Sequence, residues 1–402
     1  MAADPIAVTG YGLSTSLGVG AETNWEALAA GRCGLAPIRS FDVSTVAVKE
    51  GGEEPPLPDD APAVVRALPA PLGLLALAGL EALETAHVES VPTSVVPVET
   101  RCGIVIGSSL AASSSSRAFF DSYLGADGPQ SANYAVLEGY CVDQHFERLA
   151  EVLGVFGPSL LVSNACAAGG SAIARAGEML RAGRCARVLA MGYDALSPFT
   201  HAGFGSLLAL ARGRSRPFGR GRDGMKLGAG YAALHLETLA AAQQRGAEVF
   251  GLLLGFGESA DAHHFTHPHP DGLGAELAMR RALAQAGLAP DDIDAIHSHA
   301  TATPANDAAE AKAMRSVFGE RLPRIPICAS KPAVGHTLGG AGAVQAVLSL
   351  LALLHQHLPP SLNVEEPDPQ AADLDLVPRG RPARLRRVLS NSFGFGGCNA
   401  SV

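Results

Sequence analysis

The chain repeats itself, and that repetition restricts its fold more than any single motif does. Ile6-Ala7-Val8-Thr9-Gly10-Tyr11-Gly12 opens a first half, and Phe250-Gly251-Leu252-Leu253-Leu254-Gly255-Phe256-Gly257 opens a second. Each opening is followed by an amphipathic helix pattern, Leu72 to Leu83 and Ala275 to Ala286. Each half then has a strand ending in small or polar residues, Cys102 to Ser109 and Ile293 to Thr303. Next come a strand, a turn and a long helix rich in Ala and Gly: the Cys166 segment, and Ile327 to His355. Arg187-Val188-Leu189-Ala190 and Arg387-Val388-Leu389-Ser390 close the two halves. One such pair arises easily by chance; a run of them in the same order does not. The sequence therefore reads as an α/β chain of two duplicated halves, 1–245 and 246–402, with a seam near Gln243 to Glu248. Duplication carries equivalent strand ends to a shared crevice, where α/β proteins keep their chemistry.

Composition narrows the class further. With 402 residues, 47% of them hydrophobic, the chain can bury a large core. No run of about 18 apolar residues lacks breakers, so no membrane span is expected. Met1-Ala2-Ala3-Asp4-Pro5 has no basic segment ahead of an apolar one, so no signal peptide is expected. The seven cysteines are scattered without Cys-x-x-Cys spacing, which fits a reducing cytoplasm and no metal site. A net charge of −9 argues against nucleic acid as a partner. A local basic patch stands out nonetheless: Arg212, Arg214, Arg216, Arg220 and Arg222. It reads equally as a solvated loop or as a docking site for an acidic carrier, with Arg212 and Arg214 the docking candidates. Glu50 to Pro71 reads as an acidic surface loop, and Ser113 to Ser116 as a short polar tract.

Val162-Ser163-Asn164-Ala165-Cys166-Ala167-Ala168-Gly169-Gly170-Ser171 is the strand–turn–helix of the first half, with its cysteine at the turn. Unpaired N–H groups and the positive end of a helix favour thiolate there, and small neighbours leave room for a substrate carbonyl. A buried structural cysteine fits the same residues. Two histidine segments in the second half separate those readings. Ile296-His297-Ser298-His299-Ala300-Thr301-Ala302-Thr303-Pro304 ends a buried strand; alternation would put His297 and His299 on one face, with Thr301 and Thr303 to hold a polar ligand arm. Ser330-Lys331-Pro332-Ala333-Val334-Gly335-His336 puts His336 where Cys166 stands in the first half. A thiol with two imidazoles is a constellation for nucleophilic catalysis. Neutral imidazoles donate N–H to a thioester oxygen as it becomes an enolate, the species left when a malonyl thioester loses carbon dioxide. Lys331 and Glu310 form a charge pair nearby, read as structural. In Asn391-Ser392-Phe393-Gly394-Phe395-Gly396-Gly397-Cys398-Asn399, an N–H would complete an oxyanion hole with that of Cys166, and Phe395 would gate the pocket.

These motifs resemble those of the β-ketoacyl-ACP synthases, condensing enzymes of the thiolase superfamily. The resemblance runs from Val8-Thr9-Gly10 to Asn391-Ser392-Phe393-Gly394-Phe395-Gly396-Gly397, through Gly203-Phe204-Gly205, Arg216-Pro217-Phe218, Arg222-Asp223-Gly224, Asn306-Asp307-Ala308-Ala309-Glu310 and Gly335-His336 with Gly339-Gly340-Ala341-Gly342. It implies a five-layered αβαβα fold, a homodimer or a heterodimer with a related subunit, and acyl- and malonyl-loaded acyl carrier proteins as partners, with no cofactor. It implies decarboxylative Claisen condensation in fatty-acid or type II polyketide or polyene synthesis. Cys166 would be acylated, His299 and His336 would act in decarboxylation and condensation, and Lys331 with Glu310 would support them. Thr301 and Thr303 would line the pantetheine tunnel, Phe395 would be the gate, and Phe204 would lie in the acyl pocket. Departures from the family pattern are Ala300, Ala229, Gly219 and Cys398, with a shortened run before Arg216. Ala300 in place of glycine is expected to crowd the tunnel slightly. The departures tilt the reading towards a specialised pathway. A CoA-dependent thiolase needs a second cysteine as base, for which Cys398 is the late candidate; a chain-length-factor-type subunit would usually lack the cysteine. No Gly-x-Ser-x-Gly elbow supports a serine hydrolase.

Overall fold

The computed structural model describes residues 5–88, 101–111, 119–125, 128–134 and 142–402. Met1 to Asp4 and the Ser113 to Ser116 tract lie outside the described residues. In the first half β1 (Ile6–Thr15) leads through α1 (Ala70–Thr85) to β2 (Cys102–Gly107) and β3 (Ser159–Val162). Then come α2 (Ala168–Arg181), β4 (Arg187–Asp194), α3 (Pro198–Ser206) and β5 (Gly230–Thr238). The predicted second opening strand is in fact two strands. β6 (Gly251–Leu253) pairs antiparallel with β1 and belongs to the first sheet, and only β7 (Gly257–Ala260) starts the second. The glycines at 255 and 257 explain the break: a Cβ on either would collide with the backbone of α4 (Leu273–Ala286). β8 (Ala295–His297), α5 (Pro304–Phe318), β9 (Pro326–Cys328), α6 (Ala341–His355), β10 (Val388–Phe393) and β11 (Cys398–Ser401) complete the second half.

The two sheets share one topology. The five strands they share run β1-β5-β4-β2-β3 in the first sheet and β7-β11-β10-β8-β9 in the second. In both, the first two neighbour pairs are antiparallel and the next two parallel. The duplication read from the sequence is thus a duplication of hydrogen-bonding pattern. α2 and α6 lie between the sheets, α1 covers the outer face of the first, and α4 and α5 cover that of the second. These are the five layers, αβαβα.

The central helices determine where the site forms. They cross with backbones in contact: a Cβ on Gly169 would sit 2.6 Å from the N of Ala343, and one on Gly342 2.2 Å from the N of Gly170. Only glycine permits that approach, and it draws together the turns preceding the two helices. The stretch Leu338–His355 has a mean hydropathy of 1.6, long and apolar enough to cross a membrane by composition, so the glycines in it do not act as the breakers expected. Burial of 78% of the stretch explains its character as the core helix between two sheets.

Glu50 to Pro71 is more than a surface loop. Glu54 accepts a hydrogen bond from the Tyr231 hydroxyl at 2.9 Å, Glu50 pairs with Lys226 at 3.1 Å, and Val65 is fully buried. Burial holds the Glu54 carboxyl above its ordinary range. Its Pro and acid content resembles a solvated loop, yet its apolar members cap α1.

Candidate active site

β3 runs parallel to β2 and ends in a tight turn, Ser163 to Ala167, that delivers Cys166 to the start of α2. Ala165 takes a positive φ of 54° in that turn, a conformation costing a non-glycine residue about 1–2 kcal/mol. Asn164 secures the turn by donating to the Ser171 hydroxyl at 2.8 Å. The backbone N–H groups of Phe395 and of Cys166 itself favour the thiolate form of the sulfur. Gly394 lies directly on the turn; a Cβ there would stand 2.9 Å from the N of Cys166. The thiol does not meet the expectation of a helix-stabilised thiolate. Burial pushes it up to about 12, against the lowering effects of Lys331 and the two N–H groups. Desolvation outweighs the helix end because the sulfur is enclosed, with Cys166 only 6% exposed.

The strand carrying the first histidine pair stops at His297, so the expected alternation fails after it. His297 is a core residue, satisfied by the hydroxyls of Ser349 at 3.1 Å and Ser330 at 3.0 Å. Beyond the strand Ala300 and Ala302 take positive φ, 44° and 63°, and the resulting corkscrew directs His299, Thr301 and Thr303 into the cavity. Ala300 itself is fully buried and does not line the cavity, so its departure from glycine strains the backbone rather than crowding a tunnel.

Lys331 and Glu310 make no direct ion pair. They grip His299 from two sides. Glu310 accepts the N–H groups of His299 and Ala300 at 2.7 and 2.8 Å. Lys331 Nζ donates to the His299 carbonyl, to Nδ1 of its ring at 3.3 Å, and to Oε1 of Gln345 at 2.9 Å. Burial raises Glu310 to about 7 and lowers Lys331 to about 8. Lys331 being a donor, Nδ1 of His299 is its acceptor, and the ring proton resides on Nε2.

His336 follows the same logic by different means. Its N–H donates to the carbonyl of Lys226 at 2.7 Å, and the N–H of Leu338 donates to its Nδ1 at 3.1 Å. Its ring proton is therefore also on Nε2. The two rings stand nearly perpendicular, 82°, with centroids 5.3 Å apart. Burial, then the charge of Lys331, holds both well below the ordinary histidine range; His336 adds to the effect on His299. Both are neutral donors at pH 7.

One cavity is lined by Cys166, His299, His336, Thr301, Thr303, Phe204 and Phe395. Thr301 and Thr303 share a hydrogen bond of 2.8 Å, and the rings of Phe204 and Phe395 lie 5.6 Å apart. The sequence reading missed Phe393, whose ring is 5.6 Å from that of His299, and Thr266 and His267 at the cavity wall. It also missed Asp194, buried at the end of β4. Asp194 accepts the Ser108 hydroxyl at 2.6 Å and the N–H groups of Ser109, Leu110 and Gly339 at 2.9, 3.0 and 2.7 Å. An acidic residue closing an otherwise apolar strand was the available signal. Cys398 does not line this cavity. Of the arginine patch, Arg212 and Arg214 are exposed, whereas the Arg222 side chain is buried and pairs with Asp368 at 2.9 Å, so Arg222 is structural.

A thiol and two neutral imidazoles in one cavity, on a duplicated five-layered frame, define the thiolase-like class of condensing-enzyme folds. The chain belongs to the β-ketoacyl synthase family: residues 3–242 match the family's N-terminal domain and residues 250–365 its C-terminal domain. It is 32% identical to 3-oxoacyl-[acyl-carrier-protein] synthase 2 of Coxiella burnetii, over 99% of this chain and 97% of the relative. It is 35% identical to the mitochondrial 3-oxoacyl-[acyl-carrier-protein] synthase of Arabidopsis thaliana, over 99% of this chain and 92% of the relative. Among solved structures it superposes on the ishigamide ketosynthase/chain length factor with a TM-score of 0.90 and 29% identity, covering 100% of this chain and 98% of that one. A type II PKS acyl-carrier protein in complex with its ketosynthase gives a TM-score of 0.89 at 26% identity, covering 99% and 98%.

Proposed function

We propose that this chain is a β-ketoacyl-ACP synthase joining an acyl group on Cys166 to a malonyl unit delivered by an acyl carrier protein, in fatty-acid or type II polyketide synthesis. The observation that carries the reading is the pair of Nε2–H donors, His299 and His336, facing the cavity that contains the Cys166 thiol.

The first step is acyl transfer. The Cys166 sulfur attacks the carrier thioester, the N–H groups of Cys166 and Phe395 receive the developing oxyanion, and the carrier thiolate leaves with the cysteine proton. The second step begins when a malonyl thioester binds with its carbonyl oxygen on the two imidazoles. Loss of carbon dioxide leaves an enolate whose negative charge both N–H groups stabilise. The enolate carbon attacks the acyl carbon on Cys166, the oxyanion again sits on the backbone N–H pair, and collapse expels the Cys166 thiolate. The 3-oxoacyl carrier departs. Neutral imidazoles suit this role, since imidazolium would surrender its proton to the enolate and quench it.

In this account residues 1–245 supply the nucleophile and residues 246–402 the donors. Thr301 and Thr303 hydrogen-bond the pantetheine arm, Phe204 bounds the acyl pocket, and Phe395 gates it. Arg212 and Arg214 meet the acidic carrier. Among the described residues β3 is a sheet edge, with Leu160 39% exposed, and it offers a pairing surface to a second copy or a related subunit. The cysteines described are all free thiols, in keeping with a reducing cytoplasm. A thiolase reading is not favoured: Cys398, the candidate second cysteine, is outside the cavity. The test is release of carbon dioxide from malonyl carrier in the presence of an acyl carrier, with a product two carbons longer. Carbon dioxide release without chain extension, or extension from acetyl carrier alone, contradicts the reading.

A further inference from the structure

Gln345 is 1% exposed, lies on α6, and has no part in the chemistry above. Its amide nonetheless links Lys331 to the backbone beside β8 and within β10. Oε1 accepts from Lys331 Nζ at 2.9 Å. Nε2 donates to the carbonyl of Ser298, the residue after β8, and to that of Asn391 within β10, both at 3.1 Å. One turn on, Ser349 donates to the Gln345 carbonyl and hydrogen-bonds the His297 ring, so the helix and the histidine strand are joined twice.

An ammonium has three N–H groups, and in a buried site each needs an acceptor. Lys331 finds the His299 carbonyl, the His299 ring and Gln345. The groups that face it are Glu310, Cys166 and Asp307, with the rings of His297, His299 and His336 feeling its charge. Glu310 is spent on backbone N–H groups, so among the described residues the amide oxygen of Gln345 is the one side-chain oxygen bonded to the ammonium. An amide suits the position because its other end must donate to two carbonyls.

We propose that Gln345 is a positioning residue for condensation: its amide oxygen keeps Lys331 charged and aimed at Nδ1 of His299, while its N–H groups tie the backbone just after β8 to β10. Through Lys331 it fixes the ring proton of His299 on Nε2. The inference rests on the function proposed above and assigns that site a control on its alkaline limit.

The experiment is the pH dependence of the condensation rate in wild type, Gln345→Met and Gln345→Glu, with the rate of Cys166 acylation measured alongside. Gln345→Met removes one acceptor from a buried ammonium, so the alkaline limb moves down by about one pH unit. Gln345→Glu puts a carboxylate against Lys331, so the limb moves up, although its second oxygen opposes the Ser298 and Asn391 carbonyls and the melting temperature falls. Acylation of Cys166 changes less than about threefold in either variant. A purely structural glutamine would lower the melting temperature and rate in both variants without moving the limb in opposite directions. Opposite shifts in the two stated directions support the proposal, and an unmoved limb in either variant, or two shifts of the same sign, overturns it. Wild type that acylates but never condenses would instead overturn the function beneath it.

Discussion

The N–H of Leu338 donates to Nδ1 of His336 at 3.1 Å, and that single bond decides which nitrogen of the ring carries the proton into the cavity. Lys331 does the same for His299 from the other side. Both rings are thereby donors before substrate arrives, which is the preorganisation that makes a hydrogen bond effective on developing charge. His336→Ala or His299→Ala should each lower the condensation rate about 100- to 1000-fold. Acyl transfer onto Cys166, which uses backbone N–H groups, should persist. Intact mass of the variants after exposure to an acyl carrier, beside product formation from malonyl carrier, separates the two steps.

The condensation rate should peak in a narrow range of pH. Lys331, lowered to about 8 by burial, is an ammonium below that value and loses its charge as pH rises through it. Glu310, raised to about 7 by burial, is a carboxylate above that value and loses its hold on the backbone of His299 as pH falls through it. Activity is therefore lost on both sides, acid and alkaline. A Lys331→Met enzyme should show a lower plateau with no alkaline limb in the pH–rate profile.

Backbone strain after β8 and the close crossing of α2 and α6 give predictions of opposite sign. Ala300 has a positive φ of 44° and is fully buried, so Ala300→Gly relieves strain of about 1 kcal/mol less the greater freedom of the unfolded glycine chain. Denaturant unfolding should show it equal to or slightly more stable than wild type, with condensation retained. Gly342→Ala should lose about 1–3 kcal/mol or more, because its Cβ would sit 2.2 Å from the N of Gly170. It should also lose activity, since separating α2 from α6 separates Cys166 from His336.

The arginines should divide by burial. Arg212→Ser and Arg214→Ser, both at exposed positions, should raise the KM for carrier substrates at unchanged stability, more at low salt than at high. Arg222→Leu should lower the melting temperature, because it leaves Asp307 buried without its nearby cation. Asp307 in turn holds the N–H groups of Ala302 and Phe218, so that variant should lose condensation as well.

Most of the frame was legible because periodicity and duplication are local signals. The strand–turn–helix around Cys166 and its counterpart before α6 came straight from apolar runs ending in small residues. What escaped was set by contacts distant in sequence. His297 and His299 read as one face, and the strand instead ends between them because Glu310 takes the N–H groups of His299 and Ala300. Lys331 and Glu310 read as an ion pair by their charge, yet hydrogen-bond geometry turns both onto His299. Asp194 and Gln345 carry no motif; each matters through carbonyls and N–H groups on other elements. The thiol illustrates the same limit, since the helix end is visible in sequence and the burial that outweighs it is not.

The central claim is that Cys166 carries the growing chain while two second-half histidines act on the malonyl unit. Wild type and Cys166→Ala should be incubated with an acyl carrier, digested, and mapped by peptide mass. The account predicts an acyl adduct on the Cys166 peptide of wild type, no adduct in the variant, and an adduct that disappears into a two-carbon-longer product when malonyl carrier is added. An adduct on another residue, or chain extension by the variant at the wild-type rate, would contradict it.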